Sequence, residues 1–192
     1  MSKATDLLVE LKRPSEDRRL VDQLIASGDD DVLIEALRLA DDERSRTVLC
    51  DVLGFRHASK AVDALIAVLD DPSSSVRSSA ADALAKIGDG RAGPALMARF
   101  ELPEPAITVR RMLLAALGAV GYRPAIPTLI QWLGNPDPSQ RGSAAWSLGN
   151  MRAIEAIPAL EEAFHRERQK YPRERILEAL RLIQRHKDGL EG

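Results

Sequence analysis

The sequence predicts an all-α solenoid of stacked, antiparallel helix pairs, about six in number, and three observations carry that prediction. A Leu–Ala–Leu signature recurs four times, as Leu53–Ala61–Leu65, Leu84–Ala92–Leu96, Leu117–Ala125–Leu129 and Leu148–Ala156–Leu160. Successive first leucines stand 31, 33 and 31 residues apart, and self-similarity at a period of roughly 20–50 residues marks units that bury their apolar faces only by stacking. The composition is 45% hydrophobic but only 4% aromatic, so the core is built from Leu, Ala, Val and Ile, which suits helices packed closely on helices.

The elements follow in order. Four less regular helices are expected over about 4–12, 15–27, 30–40 and 43–54. Here the template drifts: Ile25 to Leu37 matches it loosely. The polar stretches Ser15-Glu16-Asp17-Arg18-Arg19 and Asp29-Asp30-Asp31 fit either an end cap, one face of which meets water, or a divergent repeat. Regular pairs are expected over about 58–70 and 74–87, 91–101 and 106–120, 123–134 and 138–150, and 153–169 and 173–187. Within the first, Ala61, Val62, Leu65, Ile66 and Leu69 step by threes and fours onto one helical face, as do Val76, Ala80, Ala83, Leu84 and Ile87 in its partner. We call the first helix of each pair A and the second B.

Punctuation agrees with the periodicity. Asp71-Pro72 separates A from B, with Asp71 as the candidate N-cap and Pro72 at the first helical position. Glu104-Pro105, Asn135-Pro136 and Tyr171-Pro172 repeat the signal. Pro94, Pro127 and Pro158 fall near the start of each A helix, where a missing N–H costs little. Gly88 and Gly121 follow B helices at the place of a left-handed C-cap. One repeat domain is expected over 1–192: divergent capping repeats in 1–42, regular repeats in 43–160 and a capping hairpin in 161–192.

The residues from Val76 to Leu96 (VRSSAADALAKIGDGRAGPAL), and again from Ala144-Ala145-Trp146-Ser147-Leu148-Gly149 through Ala156-Ile157-Pro158-Ala159-Leu160, resemble the HEAT-like repeat of phycobilin lyase subunits. The resemblance spans 46–160. It implies a right-handed α-α superhelix whose B helices line the concave face. It does not imply lyase activity, since repeats of this kind serve mostly as adaptors or regulatory modules.

Charge and composition restrict the function classes. No run approaches the roughly 18 apolar residues of a membrane span, and the Met1–Asp6 segment lacks the apolar stretch of a secretory signal. A cytoplasmic protein is expected. Richness in Ala, Leu, Arg and Asp with few Lys is compatible with a GC-rich bacterial genome. Cys50 is the single cysteine, so no intrachain disulfide forms. It occupies the small slot held elsewhere by Ala81, which suits a buried, inert thiol. His57, His165 and His186 are far apart, without the converging ligands a metal needs. No Gly-rich phosphate loop and no Ser-His-Asp or Cys-His set is present. The sequence therefore reads as a non-enzyme without a cofactor.

Net charge is −2, unevenly placed: residues 1–96 carry 13 basic and 18 acidic side chains, and 97–192 carry 14 and 11. Within 165–187 there are eight Lys/Arg against three Glu. Such a dipole accommodates a polar partner, a second copy head to tail, or none.

Two residue sets stand out. Arg46, Arg77, Arg110, Arg141 and Arg175 recur near the start of successive B helices, and Asp71, Glu104 and Asn135 lie six residues before Arg77, Arg110 and Arg141. Such a row of guanidinium groups suits either bidentate binding of carboxylates or phosphates along a groove or, as in similar HEAT repeats, pairing with an acidic residue at this offset in a ladder between units, and the ladder is the stronger reading. Arg111 lacks such a partner and is the candidate ligand-facing cation.

Trp146 takes the B-helix position held by Asp82 and Ala115 in other units, a position too polar for deep core. Either it anchors a partner or it covers its neighbour. Gly142, Ser143 and Asn150 lie one turn away and leave space beside it, and Met112 widens the apolar spot. Trp132, equivalent to Val68 and Ala163, reads as packing. The expected partner site is thus Trp146, Arg111, Met112, Ser143, Asn150 and Asp82.

The leading reading is a scaffold binding a protein on its concave B-helix surface, as a monomer or weak homo-oligomer. The resemblance allows a second reading, a lyase-like subunit or a chaperone handling a tetrapyrrole or its acceptor protein. A nucleic-acid-binding solenoid is the third. It rests on segment 165–187 with Tyr171, and the overall acidity argues against it.

Overall fold

The computed structural model describes residues 2–12 and 17–189. Among them are twelve α-helices: α1 (Lys3–Leu11), α2 (Asp17–Ser27), α3 (Asp30–Leu39), α4 (Glu43–Phe55), α5 (Val62–Val68), α6 (Ser74–Ile87), α7 (Gly93–Glu101), α8 (Ile107–Ala119), α9 (Ile126–Trp132), α10 (Pro138–Asn150), α11 (Ile157–Arg166) and α12 (Lys170–Lys187). The described residues contain no strand. Ser15 and Glu16 of the expected amino-terminal cap, and positions 190–192 of the expected carboxy-terminal hairpin, lie outside the described residues, as does Met1.

The helices form two layers of an all-α superhelix. Odd-numbered helices are the A layer and even-numbered ones the B layer; α1 packs on α3 and α2 on α4, and from α3 onward each A helix packs on the B helix that follows it. Successive B helices, α4 through α12, touch along much of their length, whereas successive A helices from α3 onward meet far less. Closer stacking in one layer puts the B helices on the inside of the curve.

Small residues make that close stacking possible. A Cβ added to Gly54 would sit 2.7 Å from Ala83 Cα, one on Gly118 2.5 Å from Ser147 Cα, and one on Gly149 2.7 Å from Ala179 Cα. Backbones of neighbouring B helices are therefore in contact, and no side chain fits between them. The repeated leucines flank these contacts: Leu53, Leu84, Leu117 and Leu148 on the B helices, and Leu65, Leu96, Leu129 and Leu160 on the A helices, are all fully buried. Losing one such side chain costs on the order of 2–5 kcal/mol.

The first repeated leucine also ends its helix. The amide of Ala58 donates to the Leu53 carbonyl at 3.1 Å, Tyr122 to Leu117 at 3.1 Å and Ala153 to Leu148 at 3.0 Å, the long-range bond of a Schellman motif. The intervening residue takes positive φ in all four units. Gly88 (φ 71°) and Gly121 (φ 68°) do so without a Cβ, but His57 (φ 51°) and Arg152 (φ 50°) adopt the same conformation. A one-turn 3-10 segment follows, at Ser59–Ala61, Gly90–Ala92, Arg123–Ala125 and Ile154–Ala156. The α-helical part of each A helix consequently starts later than periodicity suggests. Pro94, Pro127 and Pro158 fall second in α7, α9 and α11, where an amide would have no intrahelical acceptor.

Two turn readings change. Asp71 does not cap α6: its Oδ1 accepts from the Ser73 amide at 2.8 Å, and the helix starts only at Ser74. The carboxylate closes a local Asx turn instead. Pro172 is not ahead of the last helix but third within it, since α12 begins at Lys170; its missing amide is again one of the orphans of the first turn. Side-chain capping is supplied elsewhere, by Asp137 to the Ser139 and Gln140 amides of α10 and by Asp42 to the Ser45 amide of α4.

Candidate functional site

The inner groove is lined by one face of each B helix. Helices α8, α10 and α12 border an open pocket of about 220 Å³ formed by Arg111, Met112, Ala115, Ser143, Trp146, Tyr171 and Arg175. Four residues of the expected partner site, Trp146, Arg111, Met112 and Ser143, are thus brought together. Trp146 is half-buried, as is Met112; Arg111 is exposed and Ser143 buried.

Tyr171 and Arg175 complete the wall and were not expected there. Arg175 lies one repeat after Ser143, at the step that separates Arg173 from Arg141, and reading that register across the irregular junction before α12 would have found it. The Tyr171 ring rests on Gly142: a Cβ at Gly142 would come 2.4 Å from Tyr171 Cε1. The space expected beside Trp146 at Gly142 is therefore taken by the next unit's tyrosine. Arg175 lies with its guanidinium carbon 5.7 Å from the Tyr171 ring centroid and its Nη1 donates to Glu178 Oε2 at 2.8 Å.

The remaining two expected residues do other things. Asn150 Nδ2 donates to the Gly118 carbonyl at 2.9 Å, tying α10 to α8. Asp82 sits on α6, at the other end of the groove, in an ion pair with Lys86. Lys86 Nζ lies 3.7 Å from the centroid of the exposed Phe55 ring. Nearby, Asp51 is pushed above the usual carboxylate range, first by burial and less by the Asp82 charge, against a hydrogen bond from Ser79 and the Lys86 charge. The groove is therefore acidic between α4 and α6, and basic with aromatic walls between α8 and α12.

A separate ladder of arginines joins the units. Arg46, Arg77, Arg110, Arg141 and Arg173 each donate to the carbonyl six residues earlier, on Ala40, Asp71, Glu104, Asn135 and Glu167. Three of them pair with a carboxylate of the next unit: Arg46 with Asp71 at 2.7 Å, Arg77 with Glu104 at 2.9 Å and Arg141 with Glu167 at 2.6 Å. The acidic side chain at the six-residue offset thus receives the preceding unit's arginine, and only its backbone carbonyl serves its own. Arg173, not Arg175, is the last member.

Glu104 also takes Arg99, a buried arginine on α7 whose Nε donates to the Leu69 carbonyl at 3.0 Å. Burial raises the Glu104 pKa, but hydrogen bonds from Arg77 and the Ala106 amide, with the charges of Arg77 and Arg99, outweigh it and hold the carboxyl below its usual range. Glu167 is lowered first by its hydrogen bond from Arg141, against burial. Arg110 is the exception, because the next unit offers Asn135. Its Nε is buried without a hydrogen-bond partner, and its guanidinium carbon stands 5.5 Å from the Trp132 ring centroid. Trp132 packs edge-on to Phe100 at 4.8 Å, a role in packing.

The profile of the HEAT repeats family matches residues 30–108 and again 101–181. No curated protein matches the chain. Among similar solved structures is the complex of CpcE and CpcF of phycocyanin lyase from Nostoc sp. PCC7120, 22% identical with a TM-score of 0.62 over 95% of each chain. The designed armadillo repeat protein YIII(Dq)4CqI is 16% identical, with a TM-score of 0.65 over 94% of this chain and 100% of that one. Another designed armadillo repeat protein, in complex with the peptide (KR)4, is 17% identical, with a TM-score of 0.58 over 95% and 100%. At these identities the likeness establishes the fold, an all-α superhelix of stacked helix pairs.

Proposed function

This chain belongs to the HEAT-repeat family, and from that premise we propose that it is a non-catalytic scaffold, a single repeat array that holds a protein partner in its B-helix groove. The observation that carries the reading is Trp146, half-buried in a pocket with Met112, Tyr171 and two arginines. A wide ring with an apolar body and a polar tip, surrounded by groups that order it, is the usual composition of an interface anchor. The rest of the groove is rigid because backbones of adjacent B helices touch, so docking orders little of the scaffold.

Several observations support a binding role over chemistry. Burial pushes the Cys50 thiol up to about 12, and nearby Asp51 and Asp71 add to that, so the thiolate is not formed near neutrality. His57 is engaged through Nδ1 with the Lys86 carbonyl at 2.6 Å. No helix among the described residues is long and apolar enough to cross a membrane. Similar folds are found in complexes with polypeptides, CpcE with CpcF and an armadillo repeat protein with (KR)4.

The test is partner capture by the wild-type chain beside Trp146→Glu, with helicity followed by circular dichroism. Capture lost at unchanged helicity supports the groove. Capture retained at wild-type affinity removes Trp146 and its pocket from the function.

A further inference from the structure

The arginines of this groove differ in what they already hold. Those of the ladder are spent on carbonyls of their own unit and, in three cases, on carboxylates of the next. Arg111 is exposed and its side chain makes no hydrogen bond, ion pair or ring contact with the other described residues. Arg175 pairs with Glu178, but 38% and 51% of those side chains are exposed. Such a pair is worth little in water and exchanges readily for an incoming carboxylate. Between the two cations lie Met112, Ala115, Trp146 and Tyr171.

The α4–α6 end has an exposed ring of its own, Phe55, but Lys86 sits over it at 3.7 Å. Equivalent groove positions on α6 are Ser78, Ser79 and Asp82, all partly exposed. The pocket holds about 220 Å³, below the roughly 300–1,000 Å³ of small-molecule sites. That is room for one large side chain, with the rest of its owner lying along the groove. At the α8–α12 end the Glu178 carboxylate is met by Arg175 and Arg111 is left over, whereas Asp51 and Asp82, with Lys86 between them, stand at the α4–α6 end. They repel an anion there and leave the α8–α12 end as its place. The excess of Lys and Arg over 165–187 adds a field of the same sign. A phosphate backbone tracking the groove would meet those carboxylates, whereas a short segment would not.

We infer that the Trp146 pocket takes an acidic peptide segment of the partner protein: one apolar side chain sits among Met112, Trp146 and Tyr171, and flanking carboxylates bind Arg111 and Arg175. This rests on the groove reading above and names the chemistry of its ligand. Arg111 and Arg175 each offer a carboxylate two parallel N–H donors, which gives direction as well as charge.

Fluorescence anisotropy with labelled synthetic ten-residue peptides tests it. The probes are a Glu/Asp peptide with one central Phe, the same peptide with Gly in place of Phe, a Lys peptide with the central Phe, and a single-stranded oligonucleotide. The acidic Phe peptide is expected to bind roughly tenfold or more tighter than each of the others, the threshold at which a single anchor is decisive. Arg111→Glu and Trp146→Glu are each expected to weaken it by about tenfold or more, with Arg38→Glu, an exposed arginine on α3, leaving it unchanged. A Lys peptide bound best and lost in Trp146→Glu overturns the acidic assignment while leaving the groove reading in place. An oligonucleotide bound best through Arg111, or no peptide bound at all, overturns the inference. Acidic binding indifferent to both Trp146→Glu and Arg111→Glu overturns the inference and the groove together.

Discussion

Arg77 and Glu104 face one another across the boundary between two repeats, with Nε and Nη2 each 2.9 Å from a different carboxylate oxygen. The same guanidinium donates through Nη1 to the Asp71 carbonyl at 2.7 Å, so one side chain joins its own turn to the next. Arg99 reaches Glu104 from α7. The Glu104 side chain is only 1% exposed, and two cations depend on it. Replacing Glu104 with Gln takes the carboxylate from Arg77 and leaves Arg99 only the exposed Asp70, at 3.4 Å. We expect a loss of about 3 kcal/mol, the scale for breaking a buried pair from one side, read as a lower urea midpoint.

Acid should act through the same groups. Glu104 and Glu167 both titrate below the usual carboxylate range in the folded chain. A depressed folded pKa means that the unfolded state takes up protons first. Their stabilisation is therefore complete above the unfolded value of about 4.3 and is lost as pH falls through the folded pKa values. Urea midpoints measured down from neutral pH should hold against these two groups until about pH 4.3 and then decline. Glu104→Gln, less stable at neutrality, should show the shallower decline.

The gap in the ladder is open to repair. Asn135 Oδ1 accepts from the Asp137 amide at 2.8 Å, just as Asp71 Oδ1 accepts from Ser73. Asn135→Asp keeps that turn and places a carboxylate where Asp71 meets Arg46, here beside Arg110 with its unpartnered Nε. We expect a gain of about 1 kcal/mol, the net worth of a typical hydrogen bond after desolvation. An unchanged urea midpoint would show that stacking on Trp132 already satisfies Arg110.

What was legible in the sequence divides along physical lines. The Leu–Ala–Leu period and the turn prolines exposed the layers, because core positions repeat whenever the same packing repeats. Trp146, Arg111 and Met112 were found as departures from that period, by comparing one groove position across units. Tyr171 and Arg175 were missed because the junction between α11 and α12 is irregular and the register slips there. Glu167 and Arg173 were missed for the same reason. The pairing of Arg77 with Glu104 rather than Asp71 was not legible, since only the stacking of units decides which carboxylate a long side chain reaches. Asn150 looked like open space beside Trp146, yet its amide had a carbonyl of the neighbouring helix to satisfy.

Arg152 and His57 carry the same positive φ for different returns. An L-residue in this conformation costs about 1–2 kcal/mol, and Gly88 and Gly121 avoid that at equivalent turns. Arg152→Gly should therefore stabilise the chain by about 0.5–1 kcal/mol, read as a higher melting temperature. Each side chain also holds a carbonyl, Arg152 Nη1 that of Asn150 at 3.3 Å and His57 Nδ1 that of Lys86 at 2.6 Å, and His57→Gly should gain less because its contact is the shorter and reaches the next B helix.

The two tryptophans should separate stability from binding. Trp132 packs edge-on to Phe100 and beneath Arg110, at a rung of the ladder that has no carboxylate. Removing its side chain leaves a void against Phe100 and exposes an arginine that nothing else neutralises. Trp132→Ala should cost about 2 kcal/mol, less than a fully buried ring because Trp132 is partly exposed. Trp146 lines an open pocket and pairs with no other ring among the described residues, so Trp146→Ala should lower the urea midpoint far less while weakening the acidic Phe peptide by about tenfold or more. Equal destabilisation by both substitutions would make Trp146 a part of the packing between α8, α10 and α12, and the pocket would then owe its shape, not its affinity, to the indole.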